Sequence, residues 1–206
     1  ANTRLQAHPL VPEIRLWLAD AITPIWTASE QALEEAGIEP PYWAFAWPGG
    51  AATARFILDA PARVRGREVI DIAAGSGIAA IAAGGAGAVR TTAVEIDATA
   101  CAAIALNAGV NGVGLTISAE DPLQGPPPAG ALILAGDVCY QRDMAERMIA
   151  WLREAVHAGA EVWLADPGRA YLPTSGLVEM ARIEVPTSLE LEDRETRLTV
   201  LYRLVA

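Results

Sequence analysis

The chain contains no lysine: all 15 of its basic residues are arginine, set against 25 Asp and Glu, for a net charge of −10. Lysine Schiff bases and Tyr/Lys proton relays are therefore excluded. Histidine is nearly as scarce, and His8 and His157 alone argue against a Ser-His-Asp triad. The two cysteines, Cys101 and Cys139, stand in apolar surroundings, which suits unpaired thiols in a reducing cytoplasm. No Cys/His spacing matches a metal site. No basic run is present to hold phosphates, which sets nucleic acid aside as a partner. No apolar run reaches the ~20 residues of a membrane span, and residues 1–17 carry charges where a secretion signal needs an apolar core. The expectation is a cytoplasmic monomer with no membrane or metal requirement. Its acidity suits a basic protein surface as well as plain solubility.

What is present is a patterned α/β text. With 206 residues and 52% apolar content, the chain is long enough for one medium domain. Residues 12–22 place apolar side chains at 14, 17, 18, 21 and 22, a helical stripe with Pro12 in its first turn. Residues 27–37 open with a Thr27/Glu30 capping-box pattern and close on Gly37. Both predict short helices in an N-terminal arm, residues 1–39, ahead of a main domain over 40–206. From residue 49 onward, helical and strand patterns alternate through "REVIDIAA", "VRTTAVEID", "LTISAE", "ALILAGD" and "AEVWLADPG". Such alternation predicts a Rossmann-like, mostly parallel sheet with helices on both faces. The last two extended runs, joined by "LEDRE", predict a closing antiparallel hairpin and seven strands in all.

"VIDIAAGSGIAA", residues 69–80, is a strand, a glycine turn and a helix start. Gly75 and Gly77 let a ligand approach the backbone, and the helix beyond offers unpaired N–H groups. About 20 residues on, Glu95 ends the second strand, where a carboxylate accepts two hydrogen bonds from a ribose diol. The same turn satisfies the dinucleotide fingerprint, so an NAD-dependent oxidoreductase is one reading. The scarcity of proton donors and the terminal hairpin favour S-adenosylmethionine, because methyl transfer asks mainly for alignment and desolvation. "PPYWAFAWPGG", residues 40–50, is uncharged and aromatic, and serves either as core or as a wall around a flat or cationic ligand. Asp137 can hold an ammonium group and orient the amine once its proton is lost, or it caps the helix beginning near Arg142. "DPGR", 166–169, is a turn after the fifth strand or a rim of the cleft.

These residues in this order resemble the class I, seven-β-strand methyltransferases. More narrowly, "PPYWAFAWPGG", "LNAGVNG", "LAGDVCY" and "ADPGR" resemble the electron transfer flavoprotein β-subunit lysine methyltransferase family, marked by an Asp-x-x-Tyr motif. The resemblance implies S-adenosylmethionine as cofactor and the flavoprotein β subunit as protein partner. It implies that Asp71, Gly75 and Gly77 surround the methionine part, Glu95 takes the ribose hydroxyls, and Ile96 lies beside the adenine. Glu120 and Asp121 match positions near the adenine amino group, and Trp47 lies against the cofactor. Asp137 and Tyr140 occupy the Asp-x-x-Tyr positions beside the transferable methyl, and Trp43 and Phe45 wall the substrate lysine. Two departures stand out: Ala73 replaces the usual Gly, and Ala46 replaces a larger aromatic. The Ala- and Arg-rich composition resembles a bacterial, GC-rich version. Other readings are a small-molecule (nicotinamide-like) or ribosomal-protein methyltransferase, and a cofactor-binding module without catalysis.

Overall fold

A computed structural model describes residues 3–19 and 41–205. Strands β1 (Thr3–His8) and β2 (Val11–Ala19) form an antiparallel hairpin, pairing Leu5 with Trp17 and Ala7 with Arg15. The predicted helix at residues 12–22 is thus a strand through residue 19. Ile14, Leu16 and Leu18 are buried and fall at period two. The run IRLWL satisfies both periods, and the presence of β1 as a pairing partner decides between them. Far from hanging off the body, these side chains join the main core beside Ile57, Ile81 and Leu134. The helix expected over residues 27–37 lies outside the described residues.

Helix α1 (Pro48–Asp59) opens the main body with Pro48 at its start, where a missing N–H costs nothing. There follow β3 (Glu68–Ile72), α2 (Ile78–Gly85), β4 (Arg90–Val94), α3 (Ala98–Val110) and β5 (Thr116–Ser118). The chain continues through β6 (Leu132–Gly136), α4 (Arg142–His157), β7 (Glu161–Asp166), β8 (Leu177–Pro186), one-turn α5 (Leu189–Glu192) and β9 (Thr196–Leu204). The sheet order is β5-β4-β3-β6-β7-β9-β8. Strands β3 to β7 pair in parallel, whereas β9 is antiparallel to both β7 and β8. This is the predicted seven-stranded sheet with its C-terminal antiparallel hairpin.

Strand β6 is apolar throughout because both of its faces are covered. Leu132 and Leu134 face the core shared with α1 and α2, while Ile133 and Ala135 face that shared with α4. In α4, Ala145, Met148, Ile149 and Leu152 recur at helical spacing on the buried side. Strand order reverses between β3 and β6. Their C-terminal ends therefore splay apart at a topological switch point, the place where open α/β sheets hold ligands.

Candidate active site

The turn after β3 takes the left-handed region at Ala73 (φ 53°), Gly75 (φ 55°) and Gly77 (φ 78°). Ala73 thus keeps the backbone path that a glycine would follow; the departure costs about 1–2 kcal/mol of backbone strain without changing the geometry. Asp71, buried at the end of β3, accepts the Ala80 N–H at 3.0 Å through Oδ2. Burial pushes its carboxyl up to about 7, the Ala80 N–H opposes this, and the nearby charge of Glu95 adds to it. A buried acid so placed gains most from a cationic partner. Glu95, just past β4, accepts the Gly75 N–H at 3.0 Å and the Asp97 N–H at 3.2 Å. The carboxylate is thereby pinned across the glycine turn. Asp97 itself caps α3 by accepting the Thr99 N–H at 2.7 Å.

The aromatic segment arrives from the opposite side. Tyr42–Ala44 form a turn of 3-10 helix, and Trp47 Nε1 donates to the Tyr42 carbonyl at 2.7 Å. The Tyr42 ring lies 5.9 Å from Trp47 and 5.6 Å from Tyr140, centroid to centroid. Phe45 is buried and stacks edge-on to Trp47 at 6.1 Å, in a small cluster with Ala19 and Ala44. Core and wall are both correct descriptions of this segment: Phe45 is mostly core, and the other aromatics wall the cavity.

Behind that wall the WPGG turn meets the end of β6 at very close range. A Cβ on Gly49 would fall 2.5 Å from Asp137 Oδ2, and one on Gly136 would fall 2.9 Å from the Gly50 nitrogen. Only glycine fits at either place. The close approach lets Asp137 Oδ2 accept the Gly49 N–H at 2.5 Å, at the start of α1. The reading of Asp137 as a cap of α4 is thereby corrected: Gln141 stands at that N-cap with no side-chain bond, and Asp137 serves α1 instead. Its other oxygen, Oδ1, accepts from Arg169 Nη2 at 3.0 Å. Burial raises the Asp137 carboxyl to about 6, opposed by the Arg169 charge and by both hydrogen bonds. "DPGR" is both turn and rim. Asp166 Oδ1 accepts the N–H groups of Gly168 and Arg169 at 2.7 and 2.6 Å, which turns Arg169 back toward β6.

All of this surrounds one cavity of about 860 Å³. Among the expected site residues, Trp43, Phe45, Trp47, Asp71, Gly75, Glu95, Ile96, Asp121, Asp137 and Tyr140 line it. Gly77 and Glu120 do not. Gly77 is the N-cap of α2, packed so that a Cβ would lie 3.1 Å from Ile104, and Glu120 is exposed on the rim beyond. Asp121 reaches the cavity while accepting the Leu123 N–H at 3.0 Å. Ala46 packs against the main core and is not part of the lining. Tyr42, Met144 and Arg169 line the cavity as well, and of these Arg169 alone belongs to a stretch, "DPGR", that the sequence offers as a cleft rim. For Arg169 the signal was there, in an arginine directly after an Asp-Pro-Gly turn at a strand end.

Residues 21–135 match the family model described as ribosomal protein L11 methyltransferase (PrmA). A Xenopus laevis protein named electron transfer flavoprotein beta subunit lysine methyltransferase is 39% identical over 82% of this chain and 68% of its own length. Relatives of the same name from Mus musculus and Danio rerio are 38% and 32% identical, over 78% and 98% of this chain and 62% and 80% of their own lengths. Among solved structures, magnesium protoporphyrin IX methyltransferase from Synechocystis, with bound SAH, superposes with a TM-score of 0.53. That match covers 76% of this chain and 80% of that one at 17% identity, and shows the shared fold.

Proposed function

From the premise that this chain belongs to the electron transfer flavoprotein beta subunit lysine methyltransferases, within the PrmA-type methyltransferases, we propose that it methylates lysine side chains of that β subunit, with S-adenosylmethionine as donor. The observation that carries this reading is the meeting, in one cavity, of a glycine turn with its two acids and a carboxylate–tyrosine pair under aromatic walls. The donor's sulfonium supplies a methyl group whose bond to sulfur breaks as the amine lone pair forms the new N–C bond; the electron pair leaves on sulfur. Buried Asp71 and the Gly75 backbone suit the cationic methionine end, and Glu95 suits the ribose hydroxyls, with Ile96 and Asp121 along the adenine side.

Asp137 receives the substrate ammonium and keeps the amine aimed after a proton leaves to water. Tyr140 and Trp43 wall the approach, and Trp47 closes it against the donor. A flat aromatic rim also favours a cation over bulk water. A second reading, methylation of a ribosomal protein, is favoured by the match to the PrmA model. Among the described residues no helix is long and apolar enough to cross a membrane. We read the protein as cytoplasmic, supported by the two free thiols, and as bacterial, supported by the arginine-rich, lysine-free composition.

The test is incubation with methyl-labelled S-adenosylmethionine and three acceptors: purified electron transfer flavoprotein, ribosomal proteins and a small-molecule fraction. We expect label on lysines of the β subunit. Label confined to either of the other acceptors overturns the substrate and leaves the methyltransferase assignment standing.

A further inference from the structure

A chain of alternating charges runs from the cavity wall into the body of the protein. Arg169 Nη2 donates to Asp137 Oδ1 at 3.0 Å and to Glu192 Oε1 at 2.5 Å, and its Nη1 donates to Glu192 Oε2 at 3.1 Å. Glu192, on α5, is almost wholly buried, and Arg197 binds it through Nε at 2.9 Å and through the Glu192 carbonyl at 3.0 Å. The Arg169 guanidinium also sits 5.9 Å from the Trp47 ring. A fork held by a bidentate carboxylate, a fixed turn and an aromatic face has little freedom left.

That rigidity matters because of where its last hydrogen bond goes. Asp137 is enclosed, with Gly49 of α1 on one oxygen and Arg169 on the other, and Asp166 and Cys139 close by. Burial and the Asp166 charge both favour a neutral Asp137, while Arg169 and the Gly49 N–H favour the carboxylate. The Cys139 thiol, raised to about 12 by burial and the two aspartates, stays neutral and takes no part. A neutral Asp137 could not hold an ammonium.

We propose that Arg169 is a positioning residue: through its hydrogen bond to Asp137 Oδ1, and braced by Glu192 and Arg197, it keeps that carboxylate charged and turned toward the substrate lysine. The proposal rests on the lysine-methylation reading for its purpose, but the contact can be tested without any substrate.

The direct measurement is the titration of Asp137 by carbon-13 NMR of the labelled side-chain carboxyl, in the wild type, R169K, R169M and R169M/E192Q. Replacing an adjacent cation should move the titration upward by about one pH unit or more in R169M. R169K, which keeps the charge, should stay near the wild type. The double variant removes the stranded Glu192 charge and so guards against loss of folding; Asp137 should titrate as high in it as in R169M. The acid limb of kcat/KM for the flavoprotein should move by the same amount. Overturning the idea takes an Asp137 titration that coincides in the wild type and R169M/E192Q. A wild type that transfers no methyl to the flavoprotein sinks the functional reading instead, while the NMR titration still decides the role of Arg169.

Discussion

Asp137 does three things with one side chain. It begins α1 by accepting the Gly49 N–H, it pairs with Arg169, and it faces the cavity beside Tyr140. Its backbone is left-handed (φ 56°), a conformation that Asp tolerates better than most residues. The first task can be separated from the others. Asp137→Asn keeps an acceptor for Gly49 but loses the charge, so we expect a folded protein whose turnover is lower by more than ~10²-fold. Asp137→Ala should also lose about 1 kcal/mol of stability with the helix cap. Turnover on the flavoprotein and the urea midpoint of each variant check both statements, and near-normal turnover in Asp137→Asn would remove Asp137 from the mechanism. The position was legible in the sequence from the Asp-x-x-Tyr spacing. Its pairing with Arg169 was not, because the two residues are 32 apart and meet only across two parallel strands.

Among the elements, α3 has an unexpected duty. Asn107 and Asn111, the two asparagines of "LNAGVNG", lie one turn apart and complete the outer edge of β2. Asn107 Oδ1 accepts the Trp17 N–H at 2.7 Å, while Asn111 accepts the Arg15 N–H at 3.0 Å and donates to the Arg15 carbonyl at 2.7 Å. Side chains thus stand in for a third strand on an edge that would otherwise be open. Asn107, fully buried, also donates to the Ser76 carbonyl at 2.9 Å, inside the glycine turn. The N-terminal hairpin and the turn that lines the cavity are therefore tied to one amide. Asn107→Ala leaves two backbone groups unpaired, and we expect a loss of about 2–3 kcal/mol. In a chain of this size, that lowers Tm by roughly 5–10 °C. A calorimetric scan checks it, and cofactor affinity should fall for Asn107→Ala but hold for Asn111→Ala, whose contacts do not reach Ser76. Alternation of strands and helices was readable from residue 49 onward because both covered faces of the sheet demand apolar runs. The hairpin was not readable, since residues 14–18 fit either period and the asparagines that receive β2 lie 90 residues away.

Across the whole molecule, His8 ties the first hairpin to the far end of the sheet. Its Nδ1 accepts the Leu10 N–H at 3.2 Å, so Nε2 carries the proton and donates to the Pro186 carbonyl at 3.1 Å. The Leu10 bond needs the neutral ring, whereas the Pro186 carbonyl accepts from either form; burial outweighs that carbonyl and holds the pKa below the ordinary value of about 6.5. The unfolded chain then binds the proton more readily than the folded one. Stability from this group is present above about pH 6.5 and is lost as pH falls toward the folded pKa, by at most about 1.4 kcal/mol per pH unit. Asp71 and Asp137 have raised values and act with the opposite sign, favouring the fold at lower pH. The difference between the wild type and His8→Gln isolates the histidine: Tm should decline less steeply below pH 6.5 in the variant. Parallel curves would show that His8 is indifferent to acid. Strand order bears on a different matter, the timing of synthesis. Strand β9 is made after β8 yet lies between β8 and β7, and His8 waits for a partner 178 residues later. A nascent chain that ends before β9 carries an unfinished sheet with the edge of β7 bare. The strand order therefore predicts that the sheet closes only once β9 has emerged from the ribosome.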